Sequence, residues 1–317
     1  MKKKKVVVLG GGNGSAAALV GLKQNSNIFD ISAVISMSDS GGSSGRLRQE
    51  FGVLPPGDIM RAILSLSPYD YPLLKRIFYT NRFFQVGKLS SHNLGNIFLT
   101  LATKYSGDII MAVEALSESV EAQGKVFPAT LSNSDLVAEL DNEKIIFGEA
   151  QIDKPDYDRN FKIKKVYLQP EVTAYDGAVQ AIKEADYIIL SPGSLYTSVV
   201  ATLLPRGILE AIKNSQSKII FVVGNAYRTD SETGQEDVAS TVMILQKYLS
   251  RPIDLVLHNN HILTKTEKKK YQEKKWGVLT DNSKDLKDIK VISFDYEREG
   301  GGLCSIKLGK MFKKILK

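Results

Sequence analysis

A glycine run set directly behind a short apolar segment constrains this chain more than any other feature. Val6–Leu9 reads as a buried strand, Gly10-Gly11-Gly12-Asn13-Gly14 follows at once, and a helical pattern begins at Ala16. Glycine has no Cβ, so such a loop lets backbone N–H groups approach a ligand while the following helix points its positive end at the same place. Strand, glycine loop and helix in this order open a βα unit, which argues for a parallel sheet covered on both faces.

The rest of the chain keeps that rhythm. Further strands are expected at Ile31–Met37, Tyr187–Leu190, Ile219–Val223, Leu255–His258 and Val291–Phe294. Helices are expected at Ile59–Ser65, Leu73–Tyr79, Asn93–Lys104, Ile109–Glu121, Tyr175–Glu184, Tyr196–Leu203, Gly207–Asn214 and Val238–Leu249. Short alternating runs (Leu136–Leu140, Ile145–Glu149, Phe161–Leu168) interrupt the pattern, and Asp141-Asn142 between the first two marks a hairpin. The expected fold class is α/β: a doubly wound, mainly parallel Rossmann-like sheet with helices on both faces and a small β-hairpin insertion. With no repeat and no long linker, residues 1–317 read as a single domain, with the β-rich insertion at about 125–169 and a basic C-terminal helix at about 305–317.

Composition removes several classes. The 43% hydrophobic and 24% charged content is an ordinary globular mix, and the apolar runs fall far short of the ~20 residues of a membrane span. Cys304 is the single cysteine, so neither an intrachain disulfide nor a cysteine-based zinc cage is expected. Met1 and Lys2–Lys5 imitate a signal peptide, yet the apolar stretch after them stops at Gly10, below the ~7 residues of an exported segment. A cytoplasmic location is the simplest expectation. The net charge is +7, but residues 2–5, 265–275 and 307–317 carry +4, +4 and +5, leaving −6 for the remainder. No aromatic platform is interleaved with those lysines, so they read as solvated helix faces, and no nucleic-acid or membrane partner is expected.

In an open α/β sheet, ligands bind beyond the carboxyl ends of the strands, and four polar loops belong there. In the first, Gly11, Gly12, Asn13 and Gly14 are candidate contacts. Gly12 to Ala17 also fits a loose G-x-G-x-x-A pattern, which admits an NAD(P)-dependent dehydrogenase. The second, Ser38 to Arg48, gathers Asp39, Ser43, Ser44 and Arg46 in a form that suits a phosphate or diphosphate. No Gly-Lys-Ser/Thr closes it as a P-loop. Its Gly41–Gly45 stretch matches G-x-S-x-G, but Asp39-Ser40 separate it from the strand and no late histidine completes a triad. Side chains two apart on a helix point about 200° apart, so Arg46, nearer Gly45, is expected at the diphosphate and Arg48 at an ion pair or in solvent. Asp58 is placed to cap the Ile59 helix, and together with Asp39 it is a candidate catalytic carboxylate. His92 and Asn96 open another helix. Gly193, Ser194 and Tyr196 form the third loop, whose helix start is an anion seat. Asn225 and Glu232 belong to the fourth. His258 and His261 lack a third ligand, so no metal site is expected there.

Taken in order, Gly-Gly-Gly-x-Gly at 10–14, Gly-Gly-Ser-Ser-Gly-Arg-Leu-Arg at 41–48, Leu-Pro-Pro-Gly-Asp at 54–58, His-x-Leu-Gly-Asn at 92–96 and Pro-Gly-Ser-Leu-Tyr-Thr-Ser at 192–198 resemble the CofD/YvcK family over nearly the whole chain. One branch of that family is the 2-phospho-L-lactate transferases, magnesium-dependent enzymes of coenzyme F420 synthesis. The other is the YvcK-type gluconeogenesis factor, which binds UDP-N-acetylglucosamine and influences carbon metabolism and cell shape. The motifs at 41–48 and 54–58 are more similar to the second branch. The resemblance therefore implies a nucleotide-sugar-binding regulator whose ligand is a UDP-sugar. The alternative is a transferase moving a phosphorylated hydroxy-acid unit from a nucleotide diphosphate donor, and the dehydrogenase is a weaker alternative still. The second strand leads into a Gly-Ser loop with two arginines, where an adenosine ribose would meet a lone acidic residue. Ser40 stands where the family has a second aspartate, and Asn13 where it has threonine. No cofactor is expected of the binder, whereas Mg2+ is expected of the transferase, with Asp39 its candidate ligand. A homo-oligomer is left open.

Overall fold

The computed structural model describes residues 2–234 and 236–317. The chain runs through β1 (Lys4–Gly10), α1 (Gly12–Lys23), β2 (Phe29–Ile35), α2 (Gly42–Phe51) and α3 (Gly57–Leu66) before helices at Leu94–Ser106 and Ile109–Ser119. Next come β3 (Lys125–Pro128), β4 (Asp135–Leu140), β5 (Ile145–Phe147) and β6 (Ile163–Gln169). The remaining strands are β7 (Tyr187–Leu190), β8 (Lys218–Val222), β9 (Tyr227–Arg228), β10 (Leu255–Asn259), β11 (Trp276–Gly277) and β12 (Lys290–Phe294).

Seven strands form the central sheet in the order β12, β10, β8, β7, β1, β2, β3, and every pairing in it is parallel. Side chains alternate across a strand, so a sheet buried on both faces needs apolar residues at every position. In β1, Val6 and Val8 join one core with Leu19 of α1 and Ile63 of α3. Val7 and Leu9 join the other with Val199, Leu203 and Val242. The expected doubly wound α/β sheet is what the chain forms.

Three local readings are corrected. Lys125–Pro128 pairs with β2 as the edge of the central sheet, so the insertion begins at Asp135, not near 125. It is a three-stranded antiparallel sheet, β5-β4-β6, larger than the expected hairpin. It is held by Leu136, Ala138, Ile146 and Val166, which enter the same core as Val7. Finally, the segment read as a polar loop from Ser38 to Arg48 is helical from Gly42, where α2 starts. A Cβ on Gly45 would lie 2.0 Å from the Ser40 carbonyl oxygen, so glycine there lets the first helical turn fold back on its own loop.

The basic C-terminal helix, Ser305–Ile315, packs Leu308 and Phe312 into the core beside α1, which leaves its lysines as the solvated face. Among the described residues no helix is long and apolar enough to cross a membrane.

Candidate functional site

Strand order reverses between β1 and β7, so the loops leaving Gly10 and Leu190 diverge to opposite faces and open a crevice between them. Gly14 sets its width. A Cβ there would sit 1.7 Å from the Pro192 carbonyl oxygen, so only glycine lets the start of α1 abut the loop after β7.

The crevice has two lobes that share Asn13, Gly14, Gly193 and Ser194. The larger is a cavity of about 820 Å3 whose walls include Lys75, Asn225, Glu232, Lys274, Trp276 and Arg298. The smaller, about 370 Å3, is acidic: Asp39, Asp58, Glu149 and Asp153 line it, with Arg61 the one basic side chain.

The acidic lobe is tightly wired. Asp58 accepts the Gly12 amide at 2.8 Å through Oδ2 and a 3.0 Å contact from Arg61 through Oδ1. Arg61 also donates to the Tyr79 hydroxyl at 2.5 Å and stacks 4.5 Å above that ring. Asp39 accepts the Gly41 amide at 2.9 Å. Burial, and then the Asp58 charge, push the Asp39 carboxyl up to about 6 against the Gly41 amide, the Ser44 hydroxyl and Arg61. Glu149, on a short helix after β5, is pushed up to about 8 by burial and then by Asp39 and Asp153. The Ser40 hydroxyl accepts the Ala150 amide at 3.0 Å, so the residue that departs from the family pattern caps the helix carrying Glu149.

At the far wall, the Glu232 carboxylate accepts the Tyr196 and Thr197 amides at 3.2 and 3.1 Å. Burial, opposed by those two amides, pushes its carboxyl up to about 7. This places a side chain of the protein itself on the helix start expected to seat a ligand anion. Behind the larger lobe, buried Glu297 accepts from Asn225 (2.6 Å), Asn259 (3.0 Å), Tyr271 (2.7 Å) and the Gly302 amide (2.8 Å), tying the loop after β8 to the end of β10, the helix Lys265–Glu273 and the loop before the C-terminal helix.

The family model described as "2-phospho-L-lactate transferase CofD" matches residues 6–296. The chain belongs to the CofD family. A Bacillus subtilis relative named "Gluconeogenesis factor" is 36% identical over 256 residues, 80% of this chain and 78% of its own. A Nostoc sp. relative is 44% identical over 225 residues; the match spans 71% of this chain and less than half, 47%, of that longer protein. The crystal structure of a UPF0052-family protein from Bacillus halodurans superposes with a TM-score of 0.90 at 33% identity, covering 99% of both chains.

Against the CofD-family motifs, the candidate residues divide into two sets. Gly11, Gly12, Asn13, Gly14, Asp39, Asp58, Gly193, Ser194, Asn225 and Glu232 line the crevice. The others support it from behind. The Ser43 hydroxyl is held by His92 Nδ1 at 2.8 Å and Asn96 Nδ2 at 2.9 Å, all three residues buried. Burial, and then Arg46, lower the His92 pKa. Ser44 is buried against Asp39. The Tyr196 ring lies in the core with its hydroxyl donating to the Ile163 carbonyl at 3.0 Å. Arg46 lines neither lobe and donates to the Ser90 carbonyl at 2.6 Å. Arg48 pairs with Asp135 at 2.9 Å.

Arg61, Lys75, Glu149, Asp153, Lys274, Trp276 and Arg298 also line the crevice and belong to none of the strand-end loops. Only Arg61 carried a local signal, its i, i+3 spacing from Asp58. The rest come from segments distant in sequence from the motifs.

Proposed function

We propose that this protein binds a nucleoside diphosphate sugar of the UDP-N-acetylglucosamine type in the larger lobe. On this reading it acts in the cytoplasm as a gluconeogenesis factor, regulating carbon metabolism and cell shape. The observation that carries it is the lobe itself. It lies at the switch point, its volume of about 820 Å3 falls within the range of small-molecule sites, and glycine-loop amides, cationic side chains and a half-buried tryptophan share its walls. The name of the Bacillus subtilis relative supports the biological role. UDP-N-acetylglucosamine at ~100 times its Kd should add ~2.7 kcal/mol, a rise of a few degrees in Tm. Protection by NAD with none from UDP-sugars would overturn the assignment.

A second reading, a 2-phospho-L-lactate transferase-like enzyme, is favoured by the acidic lobe and the family description. Its oxygen donors suit magnesium, which Asp39 and Asp58 would hold and which would neutralise charge on a diphosphate. Against it, among the described residues no three His, Cys, Asp or Glu side chains are grouped to hold a metal ion, and the Ser40 hydroxyl is committed to the Ala150 amide. Robust turnover with a phospholactyl donor, a deazaflavin acceptor and magnesium would place this reading first.

A further inference from the structure

The helix Leu94–Ser106 is apolar on two opposite sides. Gly95, Asn96, Leu99 and Thr100 are buried against the rest of the chain. On the other side Leu94, Phe98, Leu101 and Tyr105 follow one another at spacings of four, three and four, which places them within about 60° of one another on a helix. That spacing is the seam of a helix that pairs with another helix. Phe98 is half-buried, but Leu94 and Leu101 are exposed and Tyr105 is 89% exposed. A helix with apolar residues on both sides belongs in an interior, and the chain itself covers only one of the two.

The same face continues beyond that helix. The helix Tyr71–Lys75 and its extension Arg76–Thr80 pack against α3 and Leu94–Ser106 and leave Leu73 and Ile77 exposed. The segment that follows is closed onto the helix start by the Phe83 amide on the His92 carbonyl (3.0 Å) and the Ser91 amide on the Phe83 carbonyl (2.8 Å), and Phe84 within it is 79% exposed. Among the described residues, nine of the nineteen exposed large hydrophobic side chains fall between Leu73 and Tyr105. About half exposed on average, at the ~150–250 Å2 of a large side chain, those nine offer on the order of 800 Å2. That is larger than the ~300–600 Å2 apolar patch of a typical monomer and equals the ~800 Å2 that each partner of a stable dimer buries. The other ten are scattered from Phe51 to Ile306, so the described residues hold no second patch of this size to receive the first head-to-tail, and a copy of the chain can meet it only with the same face.

We propose that this face is the interface of a two-fold homodimer, in which the helices Leu94–Ser106 of two copies lie antiparallel and Leu101 packs across the partner subunit's Phe98. The inference is independent of the nucleotide-sugar reading. It bears on the site all the same, because the helix Tyr71–Lys75 lines the larger lobe with Tyr71 and Lys75 and carries Leu73 on the paired face, so the pairing braces one wall of that lobe.

The test is sedimentation velocity on the full chain, comparing the native protein with Leu101→Glu, Tyr105→Glu and Met243→Glu over a range of concentrations. The native protein should sediment at twice the chain mass at micromolar concentration. Leu101→Glu and Tyr105→Glu each bury two like charges per dimer, so each should raise the dimer dissociation constant by at least ~100-fold, with circular dichroism unchanged because both side chains are exposed in the single chain. Met243→Glu, at an exposed apolar residue outside this face, should leave the dimer intact. A native protein that stays monomeric overturns the proposal, including one that instead binds vesicles of anionic lipid through this face. A dimer that tolerates both Leu101→Glu and Tyr105→Glu overturns it as well.

Discussion

The Asp58 carboxylate and the Gly12 amide, 46 residues apart, meet at 2.8 Å, so an acid at the start of α3 fixes the first turn of α1. That contact ties the glycine loop after β1 to the Leu54–Asp58 segment, and both border the acidic lobe. It also keeps a negative charge close enough to Asp39 to be the second cause, after burial, of its raised pKa.

Asp58→Asn should therefore do two things at once. Stability should fall by about 2 kcal/mol, because a charge-assisted bond becomes a neutral one and Arg61 loses its ion-pair partner. The Asp39 carboxyl should titrate below its value of about 6 in the native protein. Denaturant unfolding and carbon-13 NMR of the aspartate carboxyls check the two effects. An unmoved Asp39 titration would show that the coupling is absent.

Glu149 makes stability depend on pH in a stated direction. Its folded pKa of about 8 lies above the ordinary value of 4.5, so the folded state holds the proton more tightly. This group costs nothing below about pH 4.5, and its destabilising effect grows as pH rises to about 8. Asp39 and Glu232, at about 6 and about 7, act the same way, whereas the lowered pKa values of His92 and His258 cost stability below about 6.5. Glu149→Gln removes this contribution together with the mutual repulsion between Glu149 and Asp39 and Asp153. Its urea midpoint should gain on that of the native protein between pH 5 and pH 8, by an amount equivalent to about 3 kcal/mol. Parallel pH profiles would contradict this.

Ser40→Asp keeps an acceptor for the Ala150 amide but sets a charge beside Asp39 and Glu149. Without metal, the variant should melt lower than the native protein, by the equivalent of about 1–2 kcal/mol. Millimolar magnesium should restore the variant more than it raises the native protein, since an added carboxylate strengthens an oxygen-ligand site. A melting scan with and without magnesium reads both, and an equal response in the two proteins would mean that position 40 does not face the cation.

The two arginines of α2 should separate cleanly. The Arg48 side chain, 12% exposed, bonds Asp135, the Ser134 carbonyl and Asn133, so Arg48→Ala should loosen the three-stranded sheet and cost about 2 kcal/mol. Arg46→Ala removes one bond to the Ser90 carbonyl and should change UDP-sugar affinity less than about threefold. A larger affinity loss for Arg46→Ala would return it to the ligand.

Much of this protein is legible one segment at a time. Val6–Leu9 before five residues rich in glycine, and the recurrence of apolar strand and helix after it, specify a parallel sheet because the side-chain periods of strand and helix are local properties. The same locality made the crevice glycines and Asp39, Asp58, Asn225 and Glu232 findable, since all lie just beyond strand ends or in the first turn of a helix, although Asp58 bonds Gly12 and Arg61 and does not cap α3 as expected. It also explains the error at Arg46. Sequence shows that two guanidiniums follow a Gly-Ser loop but not that the helix begins at Gly42 and carries one to Ser90 and the other to Asp135.

What only the tertiary structure decided is which distant segments share a wall. Glu149 enters the acidic lobe because the Ser40 hydroxyl caps its helix from 110 residues away, and Glu232 closes the helix start at Tyr196 from 36 residues away. Lys75 lines the larger lobe together with Asn13 and Gly14, and the helix bearing it packs against α3. Such encounters depend on strand order and helix packing across the whole sheet. No local period encodes them, so the amino-acid sequence set the elements and the place of the cleft, and packing set the charges inside it.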